Sequence, residues 1–234
     1  RQIASLNNTE VNIYQYVIKN LDKDREKEIL KLVDFMEKYM DGEKLDVDFD
    51  SVRKKIKDKD SALNKYINKA LDEIDPGVLK TMVLNLGFEA FLNGTKTIRK
   101  MREKYNCNVP WLILMDPTSA CNLHCTGCWA AEYGNRLNLT FDEMDSVVTQ
   151  GKELGIYLYM FTGGEPLVRK SDIIKLCEKH NDCAFHPFTN GTLFLRGEGK
   201  SRNIIIANEF IPKAIALIIN VFLHLCHSID LLIL

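Results

Sequence analysis

Three cysteines within eight residues, Cys121-Asn-Leu-His-Cys125-Thr-Gly-Cys128, are the groups in this chain best suited to chemistry. Thiolates are soft donors for zinc and for iron–sulfur clusters, and a C-x3-C-x2-C spacing lets three of them converge from one short loop. Four thiolates ordinarily complete a [4Fe-4S] cluster; three leave one iron without a protein ligand, open to substrate or cofactor. Taken alone, the run also suits a structural zinc site, with His124 or a further cysteine as fourth ligand. A second constellation, Gly163-Gly164-Glu165-Pro166, follows about 35 residues later. Its two glycines expose backbone groups to a ligand, and its carboxylate can accept hydrogen bonds from an ammonium. A Gly-Gly turn before proline is by itself more often a plain connection. The two motifs together carry more than either alone.

Both motifs need elements to hold them. After Pro110 short apolar runs alternate with segments of helical period, the pattern of βα units around a parallel sheet. Strands are expected at Trp111 to Met115, Ile156 to Phe161 and Cys183 to Phe188. Thr140-Phe-Asp-Glu143 reads as a capping box opening a helix to about Leu154, and Ser171 as the cap of a helix to about His180. The cysteine run then sits directly after the first strand and the Gly-Gly-Glu-Pro run at the end of the second. Ligands of open sheets and barrels collect at these carboxyl ends. A right-handed βαβ unit makes the two ends neighbours. Asn190-Gly191, after the third strand, is equally a cofactor contact or an ordinary turn.

The first hundred residues are of another kind. Gln2 to Lys104 is rich in Lys, Glu, Asp, Leu and Ile, with apolar residues at helical spacing, as in Ile29, Leu32, Val33 and Met36. Gly42, Asp75-Pro76-Gly77 and Asn93-Gly94 divide it into four or five helices. The charged stretch from Asp22 to Lys38 reads as a solvated helix face. Three segments result: a helical region at 1–109, an α/β region at 110–193, and an apolar tail at 194–234. Between Lys213 and Asp230 the tail has sixteen uncharged residues, short of the roughly 18 to 20 of a membrane span. Its readings are a membrane anchor, a partner-binding helix, or unselected sequence after a frame change or truncation.

With a formal net charge of −1, the chain gives no electrostatic ground for a nucleic-acid partner or an anionic membrane surface. Seven cysteines, an odd number with three clustered, fit a reducing cytoplasm better than a secreted disulfide framework. Cys107, Cys177, Cys183 and Cys226 are scattered and read as inert positions. The chain begins at Arg1 without a signal segment, which suggests a fragment.

The ordered pair of motifs resembles the radical S-adenosylmethionine (SAM) superfamily, whose signature is C-x3-C-x2-C after the first barrel strand and GGE after the second. The resemblance covers about Val109 to Thr192. It implies a partial radical SAM (β/α) barrel, with Cys121, Cys125 and Cys128 on three irons of a [4Fe-4S] cluster. The amino and carboxylate groups of SAM would take the fourth, with Gly163, Gly164, Glu165 and Pro166 at its methionyl end. The activity implied is reductive cleavage of SAM to a 5′-deoxyadenosyl radical that abstracts hydrogen from a substrate the motifs do not name. An electron donor such as flavodoxin or ferredoxin is implied as partner. The chain departs from the family pattern twice. Gly127 stands where an aromatic residue commonly precedes the third cysteine, with Trp129 one place after it, and three candidate strands are readable where the usual core has six βα units. An inactive truncated fragment and a structural zinc- or iron-binding module are the competing readings.

Overall fold

The computed structural model describes residues 20, 24–40, 48–74, 76–128, 130, 134 and 136–193. The described residues divide into two compact units, the first up to residue 76 and the second from residue 77. The apolar tail at 194–234, Trp129, Gly42 and Cys226 lie outside the described residues.

Among the described residues of the first unit, three helices surround a small core. They are α1 (Arg25–Met40), α2 (Phe49–Lys57) and α3 (Ala62–Glu73). The Asp48 side chain accepts from the Ser51 N–H at the start of α2, and Ser61 does the same for Asn64 at the start of α3, each satisfying an orphan donor of the first turn. Val33, Ile56 and Leu63 are buried, with Ile29, Leu30, Phe49, Val52 and Ile67 packed around them. Arg53 of α2 ties Asp34 and Glu37 of α1 to Asp50 on the exposed side.

The second unit opens on a continuous helical run: α4 (Pro76–Thr81), a π-helical stretch (Met82–Gly94) and α5 (Thr95–Tyr105). The Asn93-Gly94 pair, expected to break this run, lies inside it. Gly94 is there for space: a Cβ would stand 2.4 Å from the Gly155 carbonyl oxygen. The π-helical stretch is largely buried, with Met82, Leu86, Phe88, Ala90, Phe91 and Leu92 all inside. Its anchors share one property. Asn85 donates to the carbonyls of Asn181 (2.9 Å) and Cys183 (2.8 Å), Gly94 abuts Gly155, and Phe91 stacks on Trp111 at 5.1 Å. All of these partners lie just before a strand, so the run closes the amino ends of the sheet and leaves the carboxyl ends for chemistry.

Among the described residues the sheet has three parallel strands in the order β1 (Leu112–Met115), β2 (Leu158–Phe161), β3 (Ala184–Pro187). Leu112, Leu158 and Ala184 are in register at one end, and Met115, Phe161 and Pro187 at the other. Helices α6 (Phe141–Glu153) and α7 (Lys170–Lys179) cover one face. Met144, Val148, Ile173, Leu176 and Cys177 bury there against Met115, Tyr159, Phe161 and Phe185. The alternation expected from the sequence is therefore present: a helical region precedes an α/β unit built on a parallel sheet. The capping box is also present, with Thr140 and Glu143 bonded reciprocally at the start of α6.

One expectation is corrected. Ser171 lies within α7 and does not cap it. A 3-10 turn, Pro166–Arg169, precedes the helix, and the Glu165 side chain caps that turn by accepting from the Leu167 N–H. Pro166, whose ring pre-sets a helical φ, starts the turn one residue after that cap. Among the described residues no helix is long and apolar enough to cross a membrane.

Candidate functional site

The cysteine loop leaves β1 through Asp116-Pro117-Thr118-Ser119-Ala120, and this stem is held on two sides. On one side it pairs with residues that follow the loop: Ser119 N–H donates to Leu137 O (2.8 Å), Leu139 N–H to Pro117 O (3.1 Å), and Thr118 Oγ1 to Asn138 Oδ1 (2.6 Å). Arg169 holds the pairing together by donating to the carbonyls of Pro117 (3.2 Å) and Leu139 (2.7 Å). Its guanidinium is fixed in turn by the Asp172 carboxylate, at 2.8 and 2.6 Å.

On the other side the stem meets the Gly163-Gly164-Glu165 turn directly. The Gly164 N–H donates to Thr118 O (2.9 Å) and the Glu165 N–H to Ala120 O (2.8 Å). This contact explains both glycines. A Cβ on Gly163, whose φ is +96°, would lie 2.6 Å from Thr118 O, and one on Gly164 would lie 2.2 Å from Ala120 O. Backbone oxygens cannot move aside as side chains do, so only glycine lets the two motifs lie this close.

The Glu165 carboxylate points inward. It is 1% exposed and accepts from the Leu167 N–H (3.0 Å) and Thr189 Oγ1 (2.6 Å) on Oε1, and from the Asn190 N–H (2.8 Å) on Oε2. It thus joins the end of β2 to the end of β3. Pro166 is buried beside it.

The three cysteines are free thiols, Cys125 exposed and Cys121 and Cys128 partly so. The Cys128 N–H closes a turn on Cys125 O (3.2 Å), and Gly127 at φ +75° supplies the left-handed residue that turn needs, with open space around it. His124 is exposed in the same loop. No three His, Cys, Asp or Glu side chains among the described residues are gathered closely enough to hold a metal ion. The donor chemistry nevertheless fits an iron–sulfur cluster: three accessible thiols on one loop, none committed to a disulfide. Cys177 and Cys183, by contrast, are wholly buried, Cys183 beside the Asp182 carboxylate, and burial pushes both thiols far up from their ordinary range. They are packing residues, as expected, whereas Cys107, expected to be another apolar position, is exposed.

Beside the stem lies a cavity of about 500 Å³ lined by Asp116, Ser119, Arg136, Asn138 and Gly163, among others. Partial burial pushes the Asp116 carboxyl up from its ordinary value. Sequence reading passed over Asp116, Asn122, Arg169 and Thr192. Asp116 carried one usable signal, its place between a strand and a proline.

Three comparisons bear on this geometry. Residues 115–221 match the family model described as the Radical SAM superfamily. A GTP 3',8-cyclase of Desulforamulus reducens is 36% identical over 102 residues, covering 40% of this chain and 31% of that protein. Another GTP 3',8-cyclase, of Syntrophomonas wolfei, is 34% identical over 128 residues, 48% of this chain and 38% of the relative. An AdoMet-dependent heme synthase of Methanosarcina barkeri is 32% identical over 90 residues, 37% and 26% of the two chains. The chain therefore spans between about a quarter and two-fifths of the length of the curated relatives it matches. No solved structure matches it significantly.

Proposed function

We propose that the chain belongs to the radical SAM superfamily, whose family model matches residues 115–221, and that residues 110–193 form the cofactor-binding first part of a radical SAM (β/α) barrel enzyme. Cys121, Cys125 and Cys128 would hold a [4Fe-4S] cluster, and Gly163, Gly164, Glu165 and Pro166 would form the turn that receives the methionyl end of SAM. When bound, the pair supplies reductive cleavage of SAM to a 5′-deoxyadenosyl radical that abstracts a substrate hydrogen. An electron donor such as flavodoxin or ferredoxin would supply the electron.

The observation that carries this reading is the backbone pairing of the glycine turn with the stem of the cysteine loop, Gly164 N–H to Thr118 O and Glu165 N–H to Ala120 O. Two runs some 35 residues apart would have no reason to need glycine at such close approach unless their juxtaposition mattered. The chain's residues then divide the work. The thiols supply soft ligands on a loop with room around it. The glycine turn brings backbone groups to the edge of that loop. The buried Glu165 fixes the strand ends beneath. Binding and orientation are the protein's share where a cofactor carries the difficult step.

Relatives named for different products, a cyclised GTP and a heme, each match part of this chain. We therefore assign radical generation to this stretch and leave substrate choice outside it. Anaerobic reconstitution of the chain with iron and sulfide tests the assignment. About four irons per chain are expected, as one [4Fe-4S] cluster requires, with most of that iron lost in Cys125→Ala. Equal iron in the two proteins would overturn the ligand set, and bound zinc without visible absorbance would return the structural zinc site to first place.

A further inference from the structure

From Cys121 to Cys128 the described hydrogen bonds are few. The Cys128 N–H closes the local turn, and among the described residues every bond tying the loop to the rest of the fold belongs to one side chain, Asn122. Its Oδ1 accepts from Asn190 Nδ2 at 3.0 Å and its Nδ2 donates to Thr192 Oγ1 at 2.6 Å, reaching 68 and 70 residues along the chain. Thr192 closes the ring, since its N–H (3.0 Å) and its Oγ1 (2.6 Å) both donate to Asn190 Oδ1.

The orientation of this ring is determined. A backbone N–H can only donate, so the Thr192 N–H fixes which end of the Asn190 amide faces it, and that leaves Asn190 Nδ2 for Asn122. The ring also has a foundation. The N–H of Asn190 and the hydroxyl of Thr189 both end on the buried Glu165 carboxylate, and Gly191 at φ +76° allows the chain to turn between Asn190 and Thr192. A connected path thus runs from Glu165, at the end of β2, through the residues after β3, to the residue next to Cys121.

We propose that Asn122 and Asn190 form a positioning strap that sets the cysteine loop relative to the Gly163–Glu165 turn, with Glu165 as its anchor. This goes further than, and rests on, the cluster-and-SAM reading above. Both amides are exposed, so hydrogen bonds that water can replace add little to folding stability. Their contribution is to the geometry of the loop. The strap is therefore separable from a merely structural role: its loss should change the response of the loaded site to SAM while leaving the fold intact.

The test uses the full chain, reconstituted anaerobically, as wild type, Asn122→Ala, Asn190→Ala and Asn122→Asp. The aspartate variant keeps both contacts of residue 122, because its carboxylate accepts from Asn190 Nδ2 and from the Thr192 hydroxyl, which turns away from Asn190 Oδ1 and leaves that oxygen to the Thr192 N–H. Iron content and melting temperature are measured first. The readout is then the SAM concentration at which the electron paramagnetic resonance signal of the reduced cluster is half changed. Both alanine variants are expected to keep wild-type iron and melting temperature and to need roughly tenfold more SAM, the scale set by losing one or two hydrogen bonds. Asn122→Asp is expected to recover most of the wild-type response. Alanine variants that respond like wild type overturn the strap alone, as does loss of iron in them at unchanged melting temperature. A wild-type cluster indifferent to SAM overturns the cofactor reading and the strap with it.

Discussion

Removing the Glu165 carboxylate should destabilise the fold before it touches any cofactor. In Glu165→Ala three donors lose their acceptor: the Leu167 N–H, in a buried turn, and the Thr189 hydroxyl and Asn190 N–H, which are partly exposed. A stranded buried donor costs about 1–3 kcal/mol, and a donor that can turn to water costs about 0.5–1.5 kcal/mol. The sum is about 3 kcal/mol, since the two partly exposed donors recover some of their loss. For a chain of this size that corresponds to a melting temperature lower by about 6–12 °C. Glu165→Gln should fall between, because it keeps one acceptor oxygen but turns its amide donors toward a backbone N–H. The assay is thermal unfolding of the metal-free chain by circular dichroism, where no cluster or SAM contributes. A Glu165→Ala protein melting within about 1 °C of wild type would refute the anchoring role and return Glu165 to a direct ligand role.

Two more outcomes follow from neighbouring geometry. Gly164→Ala should destabilise by about 1–3 kcal/mol through overpacking against the Ala120 carbonyl, whereas Gly87→Ala, whose Cβ would meet nothing nearer than Val83 Cγ1 at 4.0 Å, should be neutral or slightly stabilising; chemical denaturation of both compares them. Asp145 accepts from Lys179 (2.7 Å) and pairs with His180 (2.9 Å), and these contacts hold its carboxyl below the ordinary aspartate value. A depressed folded-state pKa gives stability that is fully present above the ordinary aspartate value and lost as pH falls through the lowered one. Asp145→Asn should therefore flatten the fall of melting temperature below about pH 4, and an unchanged acid slope would remove Asp145 from that role.

Much of the positioning framework was legible in the sequence because it is local. The capping box at Thr140 and Glu143 spans four residues, and the three strands are short apolar runs between turn signals. The cysteine loop and the glycine turn announced themselves by composition, and the rule that sites gather at strand carboxyl ends placed them side by side. What escaped depends on partners distant in the chain. Gly94 reads as a helix breaker until Gly155 is seen to need its space. Ser171 reads as a cap because its type suits one, but the turn beginning at Pro166 takes its cap from Glu165. Asn122 and Asn190 lie 68 residues apart, and nothing in the sequence pairs the first, an ordinary loop asparagine, with the second, which the sequence offered only as a cofactor contact or a turn. Glu165 was legible as important, but an exposed ammonium acceptor and a buried brace have the same one-letter code.

The most direct measurement is electron paramagnetic resonance of the reconstituted, reduced chain with and without SAM. A [4Fe-4S] signal that shifts on adding SAM is expected, since three thiolates leave one iron open to it. A cluster signal unchanged by SAM, or no cluster at all, would contradict the assignment of Cys121, Cys125, Cys128 and the Gly163–Pro166 turn to one radical-generating site.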